Sequence, residues 1–149
     1  MPQTDVQLDR IIETFEFLDD WEERFAYLID LGKKLAPMDP ADKNDANRVH
    51  GCQATVWLKP QITNDDPPRF EFSAESDAFI VNGLIAILLS AYNGRTPREV
   101  ADYDAEGLLK RLGLEEHLSP TRRNGLHSMI GRIRELASHA ANGTKEQST

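Results

Sequence analysis

The chain has 149 residues, 40% apolar and 28% charged, so it can bury a sizeable core and is too hydrophobic for a disordered tail. Seventeen basic against 25 acidic residues leave a net charge of −8, which argues against a nucleic-acid partner because nothing would neutralise phosphates. The single cysteine, Cys52, allows neither an internal disulfide nor a closed zinc site of the usual kind.

The N-terminal stretch MPQTDVQLDR lacks the basic and apolar regions of a secretory leader, and no apolar run is long enough to span a bilayer. A reducing cytoplasm is the expected compartment for the thiol. Thr4–Gln7 fits a capping box, and Leu8, Ile11, Ile12, Phe15 and Leu18 recur at helical spacing. Asp20 followed by Glu23 predicts a second helix, with Trp21, Phe25, Leu28, Ile29 and Leu31 turned inward and Gly32 weakening its end. A polar loop with Pro37, Pro40, Asp42, Asn44, Asp45 and Asn47 then leads directly to Cys52.

From Cys52 the pattern alternates, with Cys52, Ala54, Val56 and Leu58 on one face and Gln53, Thr55 and Trp57 on the other. A turn over Asn64–Pro68 and a second alternation at Phe70, Phe72 and Ala74 predict an antiparallel strand pair. A third strand has only the residues just before Cys52 to come from. Ser76-Asp77 are placed to cap a helix that is apolar on nearly every side, closed by Asn93-Gly94. Thr96-Pro97-Arg98-Glu99 is a capping box, a short helix follows near Leu108, Leu109 and Leu112 up to Gly113, and Ser119-Pro120 opens the last helix. Its stripe is Leu126, Met129, Ile130, Ile133, Leu136 and Ala137, and the tail from Asn142 to Thr149 is expected to fray. Together these elements predict one α+β domain over residues 1–149, a small antiparallel sheet packed with helices.

Chemistry centres on Cys52. Its strand phase favours a buried apolar filler, whereas Gly51 beside it implies a bend from which a nucleophile would emerge. His50 is a candidate base two positions away. His117, His127 and His139 lie far off at non-ligand spacing, so neither a metal nor a cofactor is expected. Arg122 and Arg123 fall in the first turn of the last helix, where a cation opposes the helix dipole. They serve either a carboxylate such as Glu115 or Glu116, or a bound or developing anion at the helix N-terminus. Trp21 and Trp57 read as packing residues, and Asp77 as a helix-start residue with a carboxylate able to dock a partner.

The segment GCQATVWL resembles the GCQ-x-x-VW segment of the SufE family of sulfur-acceptor proteins, which includes CsdE. WEERFAYLIDLGKKL before it, SDAFIVNGLIAILL after it and HLSPTRRNGL at the last helix extend the likeness, in the family's order, over roughly residues 20 to 137. The resemblance implies a fold shared with IscU-type scaffolds, with the cysteine on a loop tip. It implies that Cys52, flanked by Gly51 and Gln53, takes persulfide sulfur from a pyridoxal-phosphate cysteine desulfurase of the SufS or CsdA type. The sulfur would pass to a SufBCD-type scaffold for iron–sulfur cluster assembly. Arg122 matches the family's last-helix arginine; Arg123 does not. One thiol suffices for exchange with a persulfide, and a second nearby would discharge it as a disulfide. The alternatives are an interaction module in which Cys52 is only core and, more weakly, a thiol hydrolase.

Overall fold

The computed structural model describes residues 3–52 and 54–147, with side chains described from Gln7 to Ala141 except Gln53. Among the described residues it comprises seven α-helices, two short 3-10 turns and one two-stranded antiparallel sheet, the α+β class expected. Helix α1 spans Gln3–Phe17 and buries Leu8, Ile11, Ile12 and Phe15 of the predicted stripe; Leu18 falls past the helix end and is half-buried. The helix begins before Thr4, so that residue lies inside it, and the side chains of the proposed Thr4–Val6 cap fall outside the described set.

Helix α2, Trp21–Lys34, is capped by Asp20, whose Oδ1 accepts the Glu23 amide at 2.8 Å. Leu28 is fully buried, while Ile29, one residue round the helix, stands off the core. Gly32 falls two residues before the end of α2 and has a packing role as well. It lies inside α2 where the helix crosses α3 (Phe79–Tyr92), and a Cβ there would strike the Phe79 carbonyl and lie 2.8 Å from the Gly83 nitrogen. The polar loop after α2 holds two 3-10 turns, Pro40–Asp42 and Asp45–Asn47. It is fastened to the sheet by Glu75, which accepts the Met38 amide at 2.9 Å and pairs with Lys43.

Strands β1, Val56–Ile62, and β2, Phe70–Ser76, pair from Val56 opposite Ser76 to Ile62 opposite Phe70. The Thr63 amide donates to the Arg69 carbonyl and that of Asp77 to the Thr55 carbonyl, so odd-numbered β1 residues form the hydrogen-bonded rungs. Pro60 sits between rungs, where its missing N–H leaves no gap in the ladder. Two asparagines of α3 cover the other side of β2. Asn93 brackets the Phe72 amide and carbonyl at 2.7 and 3.3 Å, and Asn82 brackets those of Ser76 at 2.7 and 3.1 Å.

Two expectations near the sheet need correction. The strand starts at Val56 and not at Cys52, because Gly51 turns with φ +90° and Asp77 pins Thr55 at the ladder's end. The third strand is a single bridge, Arg48 to Trp57, with the Val49 amide donating to the Val56 carbonyl at 2.9 Å. That bridge closes the intervening segment into a loop, and Cys52 lies near its tip.

Helix α3 is the central element, packed by α1, α2 and β2. Ala78 rather than Ser76 or Asp77 precedes its first turn; the Ser76 hydroxyl accepts the Ala78 amide at 3.2 Å. Helix α4, Pro97–Asp102, has the predicted capping box of Thr96 and Glu99. Helix α5, Ala105–Arg111, leads to Gly113 at φ 73° and then to α6, Leu114–His117, one turn that periodicity does not reveal. Helix α7, Pro120–Gln147, packs on α4 along Leu126, Met129, Ile130, Ile133 and Ala137. The side chains of the tail expected to fray, from Asn142, fall outside the described set.

Candidate functional site

The loop carrying Cys52 lies against the N-terminal turns of α7. Spacing on that helix puts Arg122, Gly125, Leu126 and Met129 on one face, and this face forms one wall of a cleft of about 450 Å³. Cys52, Ala54 and Val56 form a second wall, and Ala78, Val81 and Leu84 of the α3 segment a third. Gly125 faces the loop directly: a Cβ there would make ordinary contact with the Cys52 Sγ at 3.5 Å. The Sγ donates to the Gly125 carbonyl at 3.4 Å, and the Ser128 hydroxyl donates to the Gly51 carbonyl at 3.5 Å. The thiol is a weak donor and the Ser128 bond is long, so the two hold the loop weakly.

Gly51 is favoured by its backbone conformation, since its φ of +90° lies in the left-handed region. A Cβ there would lie 2.5 Å from the Ser128 Oγ, a crowding largely relieved by rotation of that side chain.

Burial pushes the Cys52 thiol above its ordinary range, since an apolar surround disfavours the thiolate. Donation to a carbonyl oxygen favours the same protonated form. Alkylation of the free protein by iodoacetamide should therefore run about tenfold or more slower at pH 8 than for a model thiol. Its rate should climb with pH to a midpoint above the model thiol's, because a raised pKa moves thiolate formation to higher pH. A rate and midpoint equal to the model thiol's would show the cleft gives no shelter.

The two arginines separate. Arg123 turns to α6, its Nη1 donating to the Glu115 carbonyl at 3.1 Å, while the Glu115 carboxylate pairs with His127 at 2.9 Å. Arg122 lines the thiol cleft and is exposed, and among the described residues its guanidinium has no ion pair or hydrogen-bond acceptor. The carboxylate-pairing account thus fails for both residues.

His50 is exposed and makes no hydrogen bond to Cys52 among the described residues. Asp77 is not in a helix; its Oδ1 accepts the Thr55 amide at 3.2 Å, clasping the end of the thiol loop. Gln53 lies outside the described residues. His117 stacks on Trp21 with ring centroids 3.9 Å apart, so it serves packing. Trp21 packs against the core, and Trp57 lies under the Lys43 ammonium at 5.6 Å. No cluster of metal-ligating side chains is found among the described residues, and none of the described helices is long and apolar enough to cross a membrane.

Gly125 and Ser128 went unread in the sequence. Helical spacing from Arg122 could have placed Gly125 beside it; nothing local links Ser128 to Gly51, 77 residues away.

Residues 9–137 match the model of the SufE family, described as an Fe-S metabolism associated domain. An uncharacterized SufE-like protein of Rhizobium meliloti is 46% identical over 87% of this chain and 94% of its own length. Another from Rhizobium etli is 46% identical over 87% of this chain and 88% of its own. The solution structure of a hypothetical protein from Thermus thermophilus superposes with a TM-score of 0.73, over 95% of this chain and 98% of the other. At 23% identity that likeness speaks to the fold.

Proposed function

This chain belongs to the SufE family, with a role in Fe–S metabolism and sulfur transfer, and from that membership we propose that Cys52 is a sulfur carrier fed by a PLP-dependent cysteine desulfurase. The Cys52 thiolate attacks the outer sulfur of the desulfurase's cysteine persulfide. A new S–S bond forms at Cys52, the old one breaks, and the desulfurase cysteine leaves as thiolate and takes up the proton that Cys52 gave up. The same exchange, run toward a recipient, delivers the sulfur to a SufBCD-type scaffold. With one cysteine in this sequence, no neighbouring thiol of the chain discharges the persulfide. Residues 1–149 act as one SufE-like domain in the reducing cytoplasm.

The observation that carries this reading is the juxtaposition of a weakly held thiol with Arg122, a cation that no carboxylate among the described residues neutralises. Docking would draw the loop out of the cleft, expose the thiol to water and to Arg122, and lower its pKa. The half-buried seat of Cys52 against the core equally suits an interaction module with a structural cysteine. The direct test mixes the protein with a SufS-type desulfurase, pyridoxal phosphate and cysteine and follows the intact mass; a gain of sulfur on the chain is expected.

Arg122 supplies a finer test. Arg122→Ala should slow sulfur transfer about tenfold, the loss expected when one charge-assisted contact near 1.4 kcal/mol is removed. The denaturation midpoint should hold or rise slightly, since a first-turn cation opposes the dipole. Unchanged transfer would return Arg122 to an ordinary surface residue.

A further inference from the structure

A second, larger groove lies away from the thiol. It holds about 1190 Å³ and runs between α1, the end of α2, β2 and the C-terminal half of α3. Helix α3 turns Val81 and Leu84 to the thiol cleft but Ala86, Leu89 and Ser90 to this groove. Its apolar lining includes Ile11, Leu31, Leu35 and Phe72.

The charge on it is opposite to that of the chain. In a protein of net charge −8, the lining carries Arg10, Lys34 and Arg69 against one carboxylate, Glu71. Arg10 and Lys34 are exposed and have no ion-pair partner among the described residues; Arg69 is fixed by its Nη1, which donates to the Gly94 carbonyl at 2.7 Å. Cations gathered round a groove of mixed polar and apolar lining favour an anionic, amphipathic partner.

Dimensions narrow the occupant. The α3 wall from Ala86 to Tyr92 is about 9 Å long at 1.5 Å per residue, and the β2 wall from Arg69 to Ala74 about 17 Å at 3.3 Å per residue. A helix about 10 Å across lying along that length displaces on the order of 1,000 Å³, close to the groove's capacity. A single extended segment, about 4.8 by 10 Å in section, displaces roughly 400–800 Å³ and leaves about a third to two-thirds empty. We propose that this groove docks a short acidic amphipathic helix of a partner protein, at a site separate from Cys52.

The probe is an acetylated, fluorescent peptide of about twelve residues with leucines at i, i+3 and i+7 and glutamates on the other face, followed by anisotropy. Binding should weaken about tenfold or more in Arg10→Glu/Lys34→Glu and fall as salt rises from about 50 to 200 mM, as screening requires. A peptide with lysines for glutamates should not bind. Cys52→Ser should bind the acidic peptide as wild type does, and the reversed-charge variant should still accept sulfur, which separates this site from the proposed carrier function. Equal binding by the reversed-charge variant overturns the proposal. So does equal binding by a peptide whose helix is broken with a central proline. A wild-type dimer that the same double variant dissociates, with no peptide binding, would overturn it too by making a second copy the occupant.

Discussion

Cys52→Ser is expected to gain no sulfur. The wild-type chain, mixed with cysteine, pyridoxal phosphate and a SufS-type desulfurase, should gain about 32 Da per sulfur, removed again by dithiothreitol because exchange is reversible by competing thiols. A hydroxyl in place of the sulfur cannot attack a persulfide under these conditions, so the loss should be complete and not graded. The substitution is mild for the fold. Cys52 is only half-buried, and a serine hydroxyl can take over donation to the Gly125 carbonyl, so the unfolding midpoint should move little. A Cys52→Ser protein that gains sulfur like wild type would leave Cys52 a core residue and favour the interaction module.

The largest loss of stability is expected at Gly83→Ala, where α3 meets α2. Here α2 and α3 cross with glycine on both sides, and a Cβ on Gly83 would strike the Leu28 carbonyl oxygen and lie 2.7 Å from the Leu28 carbonyl carbon. The obstacle is backbone and cannot rotate aside, so the helices must separate and loosen the contacts round Leu28, Leu84 and Ile87. Overpacking of this kind costs about 3 kcal/mol, or roughly 6–12 °C in Tm for a chain of this length. Calorimetry checks it. Gly131→Ala is the control, since a Cβ at that helical position meets nothing within 4 Å; it should hold or raise the midpoint, alanine being the better helix former. Equal midpoints for Gly83→Ala and wild type would mean that the crossing yields without strain.

What the sequence discloses follows the reach of each signal. The stripes of α1 and α7 and the Thr96 capping box are local patterns, and the structure reproduces them. Helix α6 is four residues long, too short for a period to register. Alternation carried the predicted strand four residues too far because what stops it is tertiary: Asp77, 22 residues on, holds the Thr55 amide. Gly32 stands near the end of α2 as read, but its packing role was hidden because its partner Gly83 lies on another helix. At the site, Cys52 and Arg122 were recoverable from family-like segments, whereas the Gly125 carbonyl that receives the thiol is 73 residues away. The separation of Arg122 from Arg123 by role depends on where α6 presents its Glu115 carbonyl, which spacing does not reveal.

The two asparagines of α3 have a consequence for how the molecule meets others. An unpaired strand edge invites a strand from a neighbouring chain, the usual route to sheet extension and aggregation. On β2 that edge is occupied by Asn82 and Asn93 and by the Gly94 and Arg95 backbone. On β1 the open edge carries Pro60, which offers no donor, beside the charged Lys59. Neither side gives an incoming strand a continuous row of amides and carbonyls. The strand edges are thereby withdrawn from sheet extension, while the face of β2 stays available as a groove wall. Contact with other proteins then falls to side chains and loops, surfaces that part more readily than a shared strand.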